Sequence, residues 1–91
     1  MMKELQLRYA GSVVPVTSIL EESYKTEATT LRDLITELDR KYGGFDEIFV
    51  NHKTRQLNFN AMIYYGGPGK MPLAVIDLDQ PIEDHAKITF W

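Results

Sequence analysis

A single amphipathic helix is written into this sequence, and it limits the fold more than any other feature. Leu31, Leu34, Ile35, Leu38 and Tyr42 recur at the spacing of one helical face, while Arg32, Asp33, Glu37, Asp39 and Arg40 fall largely on the opposite one. Thr30 supplies an oxygen to cap the first turn, and Asp33, three residues on, comes close to a capping-box pattern. Arg40 and Lys41 sit where the helix dipole favours cations, and Gly43-Gly44 offers the left-handed conformation that ends a helix. The pattern predicts a helix over about 31–41. Its apolar stripe needs a surface to bury against, and the rest of the 91 residues reads as strands and turns.

Residues Lys3 to Ala10 alternate, with Leu5, Leu7 and Tyr9 on one side and Glu4, Gln6 and Arg8 on the other, which is the pattern of a half-buried strand. Val13 to Leu20 is apolar and β-branched but contains Pro15, which cannot donate to a ladder. A second strand is expected between Val16 and Tyr24, and Glu21 to Ala28 is polar and weakly patterned. Phe45 to Val50 reads as a short strand or a tucked-in turn, and His52 to Gln56 as a polar connection. Asn58 to Tyr65 alternates again, with Phe59, Ala61 and Ile63 on one side and Met62 and Tyr64 on the other. Gly66-Gly67-Pro68-Gly69-Lys70 is a turn, Leu73 to Leu78 a short apolar stretch, and Asp79-Gln80-Pro81 a second turn with Ile82 as a core anchor. The last strand, Ala86 to Trp91, puts Ile88 and Phe90 on one face and Lys87, Thr89 and Trp91 on the other. One helix and four or five strands predict an α+β roll, a mixed sheet wrapped on one main helix in a single domain over residues 1–91.

Composition narrows the function. Ten Lys and Arg against thirteen Asp and Glu give a net charge of -3, the wrong balance for a general nucleic-acid binder, so no DNA partner is expected. There are no cysteines, so disulfides, thiolate metal sites and cysteine nucleophiles are excluded. Charges interrupt the N-terminal residues every second or third position, so no export signal is read there, and no apolar run approaches the ~20 residues a membrane span requires. The expected setting is the cytoplasm, away from membranes.

The chemistry-bearing residues are sparse. None of Ser12, Ser18 and Ser23 lies in a G-x-S-x-G turn, and His52 and His85 read as loop and turn residues. Asp77, Asp79, Glu83, Asp84 and His85 form the densest polar cluster, but Ile82 interrupts it and a solvated turn explains it better than a cation site. The Gly66–Lys70 loop fails the phosphate-loop pattern at both ends, where Tyr64 and Met71 stand. No catalytic, cofactor-binding or metal-binding residue is assigned, and no cofactor is expected. Tyr64 and Trp91 stand on the strand faces opposite Ile63 and Phe90. If the helix covers the Ile63/Phe90 side, then Trp91, Tyr64, Met62, Lys87 and Thr89 share an uncovered face, and large rigid aromatics on such a face suit a partner-binding hot spot.

From Thr29 to Trp91 the chain resembles the ubiquitin-like β-grasp proteins of the molybdopterin-synthase small-subunit and thiamine sulfur-carrier (MoaD/ThiS) family. The residues that carry the resemblance are Thr29-Thr30-Leu31-Arg32-Asp33-Leu34, then Leu38 and Lys41-Tyr42, then Asn58-Phe59-Asn60-Ala61-Met62-Ile63. The closing run from Leu78-Asp79-Gln80-Pro81-Ile82 to Ile88-Thr89-Phe90-Trp91 is similar to that family's L-D-T-P-L-x-D-G-D-x-V-x-I-F ending. The resemblance implies a β-grasp fold and the role of a sulfur carrier, whose slim Gly-Gly tail is adenylated by an activating enzyme and becomes a thiocarboxylate. It also implies that Trp91 matches a position where an outward aromatic packs on the partner protein. Three departures stand out. The sequence stops at Trp91 where the family continues to Gly-Gly, Tyr64-Tyr65 replace a frequent Asn-Gly, and His85-Ala86 replace the usual Gly-Asp turn.

The expected function is therefore that of an atypical family member. It would act as a protein-interaction subunit linked to molybdenum or tungsten cofactor biosynthesis or enzymes, without sulfur-carrier chemistry in this chain. The expected partner is a larger protein: a molybdopterin-synthase-type large subunit, an activating enzyme or a molybdenum or tungsten oxidoreductase. A true sulfur carrier whose Gly-Gly tail is missing from this chain is one alternative. A ubiquitin-like adaptor or RNA-associated domain outside cofactor biosynthesis is another. None of the three is an enzyme on its own, and open strand edges could also pair two copies into a homodimer.

Overall fold

A computed structural model describes residues 1–91. Strand β1 (Lys3–Tyr9) leads through a 3₁₀ turn (Gly11–Val13) and a one-turn helix α1 (Val14–Thr17) into strand β2 (Glu21–Thr26). Helix α2 (Leu31–Tyr42) follows, then the short helix α3 (Phe45–Phe49), strand β3 (Ile63–Gly66), strand β4 (Leu73–Ala74) and strand β5 (Lys87–Phe90). The five strands form one sheet in the order β2-β1-β5-β3-β4. The central strand β5 runs parallel to its neighbour β1, and every other pair is antiparallel. The mixed five-stranded sheet over one main helix is the architecture expected from the sequence.

Alternation decides which face of the sheet is buried. Leu5, Leu7 and Tyr9 of β1, Ile63 of β3, and Ile88 and Phe90 of β5 all point to one side and are buried. Leu31, Leu34, Ile35 and Leu38 of α2 meet them there. Tyr9, Tyr42, Phe45, Phe49 and Phe90 complete this core as an aromatic cluster with ring centroids 5.3–6.1 Å apart, several of them edge-to-face. The helix ends as its sequence predicts. The Thr30 side chain accepts the Asp33 N–H, and Gly43 and Gly44 follow at φ 79° and 87°. The turn at Leu78–Pro81 lies against the helix start, where Leu31 N–H and Arg32 N–H donate to the carbonyls of Gln80 and Leu78.

Four local expectations are corrected. The second strand lies at Glu21–Thr26, in the weakly patterned segment, and not from Val16 onward. Pro15 instead occupies the first turn of α1, where its missing N–H removes nothing a helix needs. Phe45–Phe49 is helical, because Phe45 and Phe49, four residues apart, both enter the core while Asp46 and Glu47 face the helix start. The alternation read from Asn58 becomes strand only at Ile63. Phe59 sits on a turn at 95% exposure and takes no part in the core that Ala61 and Ile63 join. The last ladder strand is Lys87–Phe90, although Trp91 keeps backbone bonds to Met62.

Candidate partner-binding face

The face of the sheet away from α2 is covered by no other element. Trp91 and Met62 stand directly opposite one another there: Trp91 N–H donates to the Met62 carbonyl at 2.8 Å and Met62 N–H to the Trp91 carbonyl at 3.1 Å. Trp91 is 55% exposed and Met62 45%. One step along the ladder Tyr64 faces Thr89, and one step further Gly66 faces Lys87. The Tyr64 hydroxyl lies 3.6 Å from Met62 Sδ. On the other flank of β5, parallel pairing sets Lys87 beside Gln6 and Thr89 beside Arg8. All five residues singled out in the sequence therefore share one face, with the large apolar side chains at one end and Lys87 toward the other.

The indole of Trp91 is seated by backbone. Gly11 adopts φ 61°, and a Cβ placed there would come within 3.1 Å of the ring, so the ring packs close against a residue with no side chain. Beside it opens a groove of about 580 Å³ bounded by Trp91, Ala10, Leu20, Arg8 and Thr89. Leu20, largely exposed, forms the far wall.

Two further members of the face were not among the predicted residues, Leu20 and Ile76. Tyr64 pairs with Ala74 and Tyr65 with Leu73, and Val75 N–H donates to the Ile63 carbonyl, so the same register carries Ile76 opposite Met62. Ile76 is 87% exposed while its neighbour Val75 is buried. An apolar stripe thus crosses the end of the sheet from Leu20 through Trp91 and Met62 to Ile76. A signal for Ile76 was present in the apolar run Leu73–Leu78: once Val75 is inward, period two turns Ile76 outward. No local signal marked Leu20, because its place depends on where the chain returns after α1.

The polar cluster singled out in the sequence makes contacts that hold the fold. Asp79 takes the Arg32 guanidinium at 2.6 Å, which holds its carboxyl below the usual range, and Asp77 accepts the Asp79 N–H. Asp84 accepts the Glu4 N–H, and the Tyr65 hydroxyl accepts the Glu83 N–H. The cluster around His85 is thus a set of turn contacts stitched to β1, β3 and α2. His52 lies 3.0 Å from Asp46 on the surface. Glu22 is clasped by the hydroxyls of Tyr9 and Tyr42 and by Lys41 Nζ, at 2.5, 2.6 and 3.0 Å. Burial works to raise its carboxyl, but these three donors outweigh burial and the net shift is downward. Burial and the same carboxylate push the Tyr9 and Tyr42 hydroxyls upward, so both stay protonated donors. The arrangement offers contact area on the outer face of the sheet.

No protein-family model matches the chain, and no curated protein matches it in sequence. Solved structures do match in fold. The HVO 2177 protein of Haloferax volcanii superposes with a TM-score of 0.76 at 13% identity, over 98% of this chain and 81% of that one. A protein of Pyrococcus furiosus provisionally named molybdopterin converting factor, subunit 1, gives a TM-score of 0.68 at 16% identity, over 97% of this chain and 94% of its own. SAMP1 of Haloferax volcanii gives 0.72 at 9% identity, over 97% and 92%. At such identities the likeness is one of fold. The chain has the ubiquitin-like β-grasp architecture that its resemblance to MoaD-like proteins implied.

Proposed function

We propose that this β-grasp chain works by contact, as the small subunit of a complex, and docks the outer face of its sheet on a larger protein. The observation that carries the reading is the cross-strand pair of Trp91 and Met62, two large apolar side chains about half exposed on a sheet face that no other element covers. Holding such groups in water is unfavourable, and a stripe rimmed by Arg8, Thr89 and Lys87 has the apolar centre and polar rim of a protein interface. The likeness to a molybdopterin converting factor subunit points to the partner class. That class comprises a molybdopterin-synthase-type large subunit, an activating enzyme or a molybdenum or tungsten oxidoreductase.

The test is affinity purification of the tagged chain from its source organism, with bound proteins identified by mass spectrometry. Wild type should retain one such partner. Trp91→Ala and Met62→Ala should each weaken the complex about 30-fold or more, as removal of a central anchor does. Arg40→Ala, on the solvent side of α2 and away from the sheet's outer face, should leave it unchanged. Equal capture by wild type and Trp91→Ala, or a partner outside this class, would overturn the reading.

The same likeness favours sulfur carriage as a second reading, which requires a Gly-Gly terminus. Intact-mass measurement of the protein purified from its source separates the two. A form ending in Gly-Gly, with one oxygen exchanged for sulfur, would establish the carrier.

A further inference from the structure

The two edges of the sheet differ in chemistry. At the β2 edge the chain carries Glu21, Glu22 and Lys25, and charge of this kind discourages pairing with another strand. The β4 edge runs through Met71-Pro72-Leu73-Ala74-Val75-Ile76 with no charged residue until Asp77, and Met71, Leu73 and Ile76 are all well exposed.

The backbone of this edge is also open. Met62 exchanges its hydrogen bonds with Trp91, just past the end of β5, so by alternation Ile63 and Tyr65 turn their backbone groups toward β4. Leu73 and Val75 answer them, and Val75 N–H donates to the Ile63 carbonyl at 2.8 Å. The N–H and C=O groups of Ala74 and Ile76 therefore point away from the sheet, and Ile76 has no backbone partner.

We infer that this edge pairs with the same edge of a second copy of the chain, antiparallel about a two-fold axis at Val75. In that register Ala74 N–H donates to the Ile76 carbonyl of the second copy and Ile76 N–H to its Ala74 carbonyl, and the axis repeats both bonds. Charge favours the antiparallel sense. Lys70 lies before the edge and Asp77 after it, so self-pairing turns Lys70 of each copy toward the acidic end of the other. A parallel arrangement would set Lys70 beside Lys70 and Asp77 beside Asp77. The axis stands perpendicular to the sheet, so the outer faces of both copies lie on the same side. The two stripes then lie side by side across the junction, Ile76 of each copy opposite Ala74 of the other, giving one ten-stranded platform with two docking faces.

Sedimentation equilibrium of the full chain should show monomer passing to dimer with rising concentration, with a dissociation constant on the order of 0.1 mM, as suits a short interface. Ala74→Pro deletes an N–H that only the second copy uses, and Ile76→Lys puts a charge on the open edge. Each should weaken the dimer at least about tenfold, with circular dichroism unchanged. Because the chain has no cysteine, register can be read by crosslinking. Leu73→Cys mixed with Asp77→Cys should form a disulfide-linked pair, since 73 lies opposite 77 of the second copy. Either variant alone should form far less. Monomer at every concentration, a dimer indifferent to Ala74→Pro and Ile76→Lys, or a dimer abolished by Trp91→Ala alone would overturn the inference. The last result would move the contact to the outer face.

Discussion

His85 shows what one residue can carry. It sits in the left-handed region at φ 64°, where the family that the chain resembles usually has glycine. A side chain there costs about 1 kcal/mol relative to glycine. The conformation is imposed from both sides: His85 N–H donates to the Glu4 carbonyl at 2.9 Å and the Asp84 carboxylate accepts the Glu4 N–H at 2.8 Å. The turn is therefore stapled to β1 whatever residue occupies position 85. His85→Gly should raise stability by about 0.5–1 kcal/mol in urea unfolding, less what the freer unfolded chain takes back. A clear loss would mean that the contact between the imidazole and Asp84, at 3.4 Å, outweighs the backbone strain.

At the scale of elements, α2 and α3 make a contrast. Helix α2 was legible residue by residue, because capping and a 3.6-residue stripe are local signals that act before any tertiary contact. Helix α3 is a single turn, too short to be stable alone, and exists because Phe45 and Phe49 are drawn into the aromatic cluster beneath Tyr9 and Phe90. Its i, i+4 phenylalanines were visible in the sequence, but a five-residue run fits a strand or a turn equally well. Phe45→Ala should cost about 3–5 kcal/mol in chemical denaturation, as truncation of a buried ring does. Phe59→Ala, at the same residue type on an exposed turn, should change stability by no more than about 0.5 kcal/mol. A large loss for Phe59→Ala would show that the turn packs more tightly than its exposure indicates.

Over the whole molecule, Glu22 joins three elements. Its carboxylate on edge strand β2 receives Tyr9 from β1 and both Lys41 and Tyr42 from the end of α2. The folded state lowers its pKa below the ordinary glutamate value of 4.5. The stability this contributes is present above that value and is lost as pH falls through the lower, folded-state pKa. The protein should therefore lose stability as pH falls below about 4.5, and Glu22→Gln should flatten that limb. At neutral pH the same variant should be about 1–2 kcal/mol less stable, since a neutral amide binds two hydroxyls and an ammonium less strongly. Melting temperatures of both proteins across this range provide the check. An unchanged acid limb in Glu22→Gln would assign the acid sensitivity to other carboxylates, with Asp79 beside Arg32 the next to examine.

The sequence by itself determined the elements whose signals are short-ranged: α2 with its Thr30 cap, the inward sides of β1 and β5, and the five residues Met62, Tyr64, Lys87, Thr89 and Trp91 on the opposite side. Alternation and helical spacing are properties of neighbouring residues, so they can be read before the chain is folded. Only the tertiary structure decided that the polar run Glu21–Thr26 is the second strand, because its stabilising partners lie in β1 and α2, far along the chain. Only the sheet order made β4 an edge, set Ile76 opposite Met62 and left Leu20 beside Trp91. Which strand ends up outermost, and which apolar side chain finds no cover, depends on pairings between distant segments, and no local pattern records them.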